Sequence, residues 1–108
     1  MINVKFRKRQ DKLISFYIKG HAESVDEGYD LVCCAVSSIS ITIANGIVEV
    51  AKANASVKME DGFLSLYLDD VAYEKLCECQ VLMETMLLGL ESIEKDYDEY
   101  INVKVEEV

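Results

Sequence analysis

An α+β fold, one five-stranded sheet carrying two helices, is predicted by three features of this 108-residue sequence. Apolar residues alternate with polar ones in five separate runs. Two longer stretches between those runs repeat apolar residues every three or four positions, the period of a helix with one buried face. An Asp-Gly pair joins two of the alternating runs, a strong short-range signal for a hairpin. The elements read β-β-α-β-β-α-β over a single domain, residues 1–108, with no linker, repeat or low-complexity segment.

The first strand places Ile2, Val4 and Phe6 on one face, and the second does the same with Ile14, Phe16 and Ile18. Arg9-Gln10-Asp11-Lys12 is the polar turn between them. A helix is expected from Asp30 to about Asn54. Val36, Ile39, Ile43, Ile47 and Val50 form its main stripe, and Cys33, Ser37, Ser40 and Ala44 a second stripe of small residues. Few of its positions suit open water, so cover on more than one side is expected. Ala55, Val57 and Met59 then alternate with Ser56, Lys58 and Glu60 up to Asp61-Gly62, where both turn residues are expected at positive φ. Leu64, Leu66 and Leu68 form the returning strand. A long helix follows through Ala72, Leu76, Cys79, Met83, Met86, Leu90, Ile93 and Tyr97, with Asp69 or Asp70 available as its N-cap. Ile101, Val103 and Val105 complete the sheet.

Composition narrows the function classes. Leu31 to Val48 carries no charge, close to the shortest length that spans a membrane, but Ser37, Ser38, Ser40, Thr42, Asn45 and Gly46 interrupt it. A soluble protein without a membrane partner is expected, and the alternating N-terminus lacks the apolar block of a signal peptide. The four cysteines fall as Cys33-Cys34 and Cys77-Glu78-Cys79, too close for ordinary disulfides, so reduced thiols and a cytoplasmic location are expected. No metal and no cofactor is expected, since His21 is the only histidine and the cysteine spacing matches no usual ligand pair. The net charge of −9 repels phosphate backbones, which argues against direct nucleic-acid binding. That charge would attract a basic protein, or serve solubility alone.

One stretch has the makings of a reactive site. Gly20-His21 closes a strand, a polar loop over 22–29 follows, and Asp30-Leu31-Val32-Cys33-Cys34-Ala35-Val36-Ser37 opens a helix. With Asp30 as N-cap, Cys33 falls in the first turn, where free N–H groups and the helix dipole lower a thiol pKa and can hold an oxyanion. An imidazole at the preceding strand end completes a Cys-His pair. A thiol redox protein fits less well, because there is no Cys-x-x-Cys motif and adjacent cysteines pair awkwardly.

This segment resembles the signature of the ribosomal-processing cysteine protease family (Prp, YsxB-like), which runs Gly-His, a loop, then Asp-aliphatic-Val-Cys-small-small-Ser. The element order and the ending Leu87-Leu88-Gly89-Leu90-Glu91-Ser92-Ile93-Glu94-Lys95-Asp96-Tyr97 are similar to the family as well. The resemblance implies a cysteine endopeptidase that removes the N-terminal extension of a large-subunit ribosomal protein, with that precursor as partner, and a homodimer. It implies Cys33 as nucleophile, His21 as general base and acid, a mobile loop at 22–29, and supporting positions at Gly20, Asp30 and Ser37. Asp30 equally fits a helix cap, Ser37 equally fits close packing, and Tyr29 fits either a lid contact or loop surface. Cys34 departs from the family's usual small non-thiol residue. The alternative is a non-catalytic ribosome-associated module that binds a basic protein, which would have no need of His21, Cys33 and the loop together.

Overall fold

Strand alternation and helix periodicity together leave one way to bury the apolar residues, with both helices on the same side of the sheet. A computed structural model has this arrangement and describes residues 1–20 and 27–108. The elements are β1 (Ile2–Arg9), β2 (Lys12–Lys19), α1 (Glu27–Asn45), β3 (Ser56–Glu60), β4 (Phe63–Tyr67), α2 (Tyr73–Asp96) and β5 (Ile101–Glu107). Their order is the one expected from the sequence. The sheet runs β3-β4-β2-β1-β5, antiparallel throughout except for the parallel β1–β5 pair.

Ile2, Val4 and Phe6 of β1, Phe16 and Ile18 of β2, and Leu64 and Leu66 of β4 all turn inward and are buried. Opposite them, Val32, Val36, Ile43 and Ile47 come from the first helical stretch, and Cys79, Met83, Met86 and Leu90 from α2. The α2 stripe read from the sequence is therefore the core-facing one. Gln80 lies beside it and pairs with β2 as a strand neighbour would. Its side-chain oxygen accepts from the Leu13 N–H at 2.7 Å, and its amide donates to the Leu13 carbonyl at 2.8 Å. A β-bulge between Arg7 and Lys8 shifts the register there.

The first hairpin turns inside the expected Arg9-Gln10-Asp11-Lys12 stretch, with Gln10 and Asp11 both at positive φ (48° and 66°). Other expectations give way. In the second hairpin, only Gly62 is left-handed (72°) and Asp61 is not, because glycine takes the costly conformation alone. No aspartate caps α2; its N-cap is Ala72, without a side-chain bond, while Asp69 accepts from Arg7 at 3.0 Å. The first helix begins three residues earlier than expected, so Gly28 and Tyr29 belong to α1 rather than to a loop. It ends in a widened turn, Gly46–Val50, where the Ala51 N–H donates to the Gly46 carbonyl at 2.8 Å. Val50, placed in the main stripe, is exposed.

The helical stretch Gly28–Val50 is long and apolar enough to cross a membrane, and its inner side gives Val32, Val36, Ile43 and Ile47 to the core. It is not covered on several sides. Its outer side, with Leu31, Cys34, Thr42 and Val48, is exposed, because the sheet and α2 meet only the inner part of its circumference.

Candidate active site

A groove of about 200 Å³ opens between α1 and the β3–β4 hairpin, with the start of β1 and the end of β2 as its floor. The small-residue stripe explains the space. Cys33, Ser37 and Ser40 present short side chains along α1, where larger ones would fill the gap to Met59 and Leu64. Ser40 is fully buried and spends its hydroxyl on the Val36 carbonyl at 2.6 Å. Ser37 is exposed along the groove wall, one turn beyond Cys33.

Gly20 lies in the floor, and two neighbours fix it. Its N–H donates to the Gly62 carbonyl at 3.0 Å, tying the end of β2 to the hairpin turn. A Cβ at Gly20 would come within 3.0 Å of Ile2 Cγ1 and 3.3 Å of the Tyr29 hydroxyl, so only glycine fits without displacement. A Cβ at Gly62 would collide with the Gly20 carbonyl oxygen. His21 is the next residue in the chain, and it lies outside the described residues, as does most of the 22–29 loop.

Cys33 is half-buried and lines the groove; Cys34 is exposed and does not. Successive helical residues sit about 100° apart, which separates the two thiols. Cys34 is thus a surface residue. Cys33 is also the seventh residue of α1, past the free N–H groups of the first turn. The expected depression of its pKa by the helix terminus does not apply, since that influence fades within the first turn. Burial instead pushes the Cys33 thiol above its ordinary value; a hydrogen bond from the Tyr29 hydroxyl pulls it back, and the Asp30 carboxylate pushes it up. Asp30 is exposed in the first turn and is not the N-cap.

The packing roles of three contributors are not legible in the sequence. Tyr29 is buried, not loop surface, and its ring meets Tyr100 edge-on at 6.2 Å between centroids. Gly28 lies against the same Tyr100, where a Cβ would stand 2.7 Å from the hydroxyl. Gly62 was legible only as turn chemistry, although it also braces Gly20. The pairing of aromatic residues 71 positions apart has no local signal.

This combination of fold and site has counterparts among known proteins. The family model for cysteine protease Prp matches residues 1–102. The chain belongs to the cysteine protease Prp family. It is therefore an enzyme, a thiol-dependent peptidase, and the reading as a non-catalytic binding module falls. The chain is 32% identical over 107 residues to the ribosomal processing cysteine protease Prp of Bacillus subtilis, covering 95% of this chain and 96% of that one. Its fold matches the crystal structure of SMU.848 from Streptococcus mutans with a TM-score of 0.91 and 30% identity, covering 100% of this chain and 96% of that one. A Prp from S. aureus, solved with a covalently linked product peptide, matches with a TM-score of 0.83 at 25% identity over 98% of this chain and all of that one.

Proposed function

We propose that Cys33 is the nucleophile and His21 the base of a protease that removes the N-terminal extension of a large-subunit ribosomal protein. The observation that carries this reading is the position of the Cys33 thiol on the groove wall, with Gly20, the residue before His21, in the floor beside it. A thiol held above its ordinary pKa is protonated at neutral pH, so attack requires a partner to take the proton. His21 is the only imidazole in the chain. It accepts the Cys33 proton as sulfur attacks the scissile carbonyl, then returns it to the departing amine. Water, deprotonated by His21, hydrolyses the thioester and frees the thiol. The covalently linked product peptide of the S. aureus relative is consistent with such an intermediate.

The surroundings of the thiol assign supporting roles. Gly20 lets the strand end approach Ile2 and Tyr29, and Ser37 continues the groove as a substrate contact. Asp30 acts on the thiol electrostatically. A basic precursor arm suits this end of the molecule, where Asp61 lines the groove. The open outer side of α1, with exposed Val81 and Leu88 of α2 beside it, supports a homodimer in the cytoplasm.

The test is incubation of the wild type and His21→Ala with the unprocessed ribosomal protein, reading the new N-terminus by mass spectrometry. Cleavage should fall at least about a thousandfold in a His21→Ala protein with unchanged circular dichroism. Wild-type turnover in that variant rules out the dyad.

A further inference from the structure

The face of the sheet opposite the helices carries the sign of charge that the molecule as a whole lacks. Cross-strand pairing aligns Lys104, Lys5, Tyr17, Ser65 and Lys58 in one row across all five strands. Arg7 and Tyr67 flank that row on one side, Lys19 and Phe63 on the other. The face thus holds five of the chain's 11 Lys and Arg residues. Of its 20 carboxylates, strand register puts only Glu60 and Glu106 there. Glu106 pairs with Lys5 at 3.1 Å and Glu60 with Lys58 at 3.5 Å, while Asp69 reaches Arg7 from the edge at 3.0 Å. Among the described residues, Lys19 and Lys104 have no carboxylate within ion-pair distance.

Flat rings lie between these cations. Tyr17 and Phe63 stack at 6.4 Å with 27° between their planes, and Tyr67 is exposed. Lys5 sits 5.8 Å from the centroid of Tyr17, and Arg7 5.9 Å from that of Tyr67. Among the described residues, no helix packs over this surface.

We propose that this open face binds single-stranded RNA, with bases stacked on Tyr17, Phe63 and Tyr67 and phosphates against Lys19, Lys104 and their neighbours. Cations alternating with half-buried and exposed rings on an open sheet face match a polyanion whose units each carry a π-face. An acidic protein would be served by the cations alone. The net charge of −9 does not forbid binding, because the excess carboxylates lie elsewhere, Glu74, Glu78, Glu84 and Glu91 on the exposed side of α2 among them. The molecule is 19 to 23 Å across in its two shorter dimensions, more than twice the Debye length of about 8 Å at physiological salt. The net charge averages two faces of opposite character. Only the choice of RNA over DNA rests on the ribosomal-processing reading.

The test is fluorescence-anisotropy titration of labelled oligouridine at about 0.1 M salt, with the wild type, Lys19→Glu/Lys104→Glu and Tyr67→Ser. Precursor cleavage and sedimentation are measured in parallel. Saturable binding is expected, weakened about tenfold by the double charge reversal and about fivefold by Tyr67→Ser, with cleavage of free precursor retained. Tyr67→Ser alters an exposed side chain at the end of β4 and keeps the test valid if the reversal fails to fold. Absence of saturable binding, or equal binding by both variants, overturns the proposal. So does a change in sedimentation of the reversed variant without RNA, which assigns the face to contacts between copies of this chain. Loss of RNA binding with cleavage intact leaves the protease reading standing, and loss of cleavage alone leaves this one standing.

Discussion

On one side of α1, Cys33, Ser37 and Ser40 look across the groove toward the β3–β4 hairpin; on the other, Leu31, Cys34 and Thr42 face away from the domain. Both sides lack charge, and each carries a cysteine in the same turn. They differ in what stands opposite. The inner side has a wall braced by the Gly20–Gly62 hydrogen bond and a buried tyrosine under the thiol. The outer side has no wall among the described residues. A neutral helix surface thus becomes a groove wall or an open surface according to its neighbours, and composition alone does not separate the two.

Breaking the wall gives the largest effect. Gly62→Val places a β-branched residue at φ +72° and against the Gly20 carbonyl, which costs about 2 kcal/mol in backbone strain. It also shifts Gly20, the residue that leads to His21. Precursor cleavage should drop about a hundredfold in protein that still melts cooperatively, since displacements near 1 Å cost that much. Calorimetry and a cleavage assay check both parts. Unchanged cleavage would detach the hairpin from the site.

On the outer side, Val81→Glu/Leu88→Glu puts two carboxylates on exposed apolar positions of α2 beside α1. Sedimentation equilibrium should show the proposed dimer weakened at least about tenfold relative to wild type, because charges at the centre of an apolar contact are left desolvated. A monomeric wild type, or equal association by both proteins, removes the outer side as a dimer contact.

The smallest change sharpens the inner side. Tyr29→Phe removes the hydrogen bond that holds the Cys33 thiol down while leaving burial and Asp30 to push it up. The folded-state pKa therefore rises further, the thiolate fraction at any pH below it falls, and alkylation of Cys33 at pH 8 should slow by about threefold. Its rate should keep climbing with pH beyond the ordinary thiol range in both proteins. Residue-resolved iodoacetamide labelling measures this, and it must resolve the residues because Cys34 is the more exposed thiol.

Much of this was legible in the sequence, for physical reasons that also mark where legibility stopped. Period-two and period-three-to-four patterns fixed all seven elements, and Met83, Met86 and Leu90 are buried as their spacing required. The small-residue stripe Cys33-Ser37-Ser40 was visible, but its meaning as the wall of a groove depends on a hairpin some 20 residues later. Helix caps were misread at both helices. Asp69 is drawn to Arg7 of β1, and α1 begins before Asp30, so local propensity lost to tertiary contacts. Net charge concealed the basic sheet face, because sign segregation across a sheet follows strand register rather than composition. Tyr29 against Tyr100 is a long-range pairing, and no window of sequence contains both.

The most direct test of the central claim compares Cys33→Ala with Cys34→Ala on the unprocessed ribosomal protein, each confirmed as folded, with cleavage rates and product N-termini read by mass spectrometry. Cys33 lines the groove and Cys34 points out of it, so Cys33→Ala should lose cleavage by at least about a thousandfold and Cys34→Ala should remain within about twofold of wild type. Retained cleavage in Cys33→Ala together with its loss in Cys34→Ala would contradict the account and move the nucleophile to the outer side of the helix.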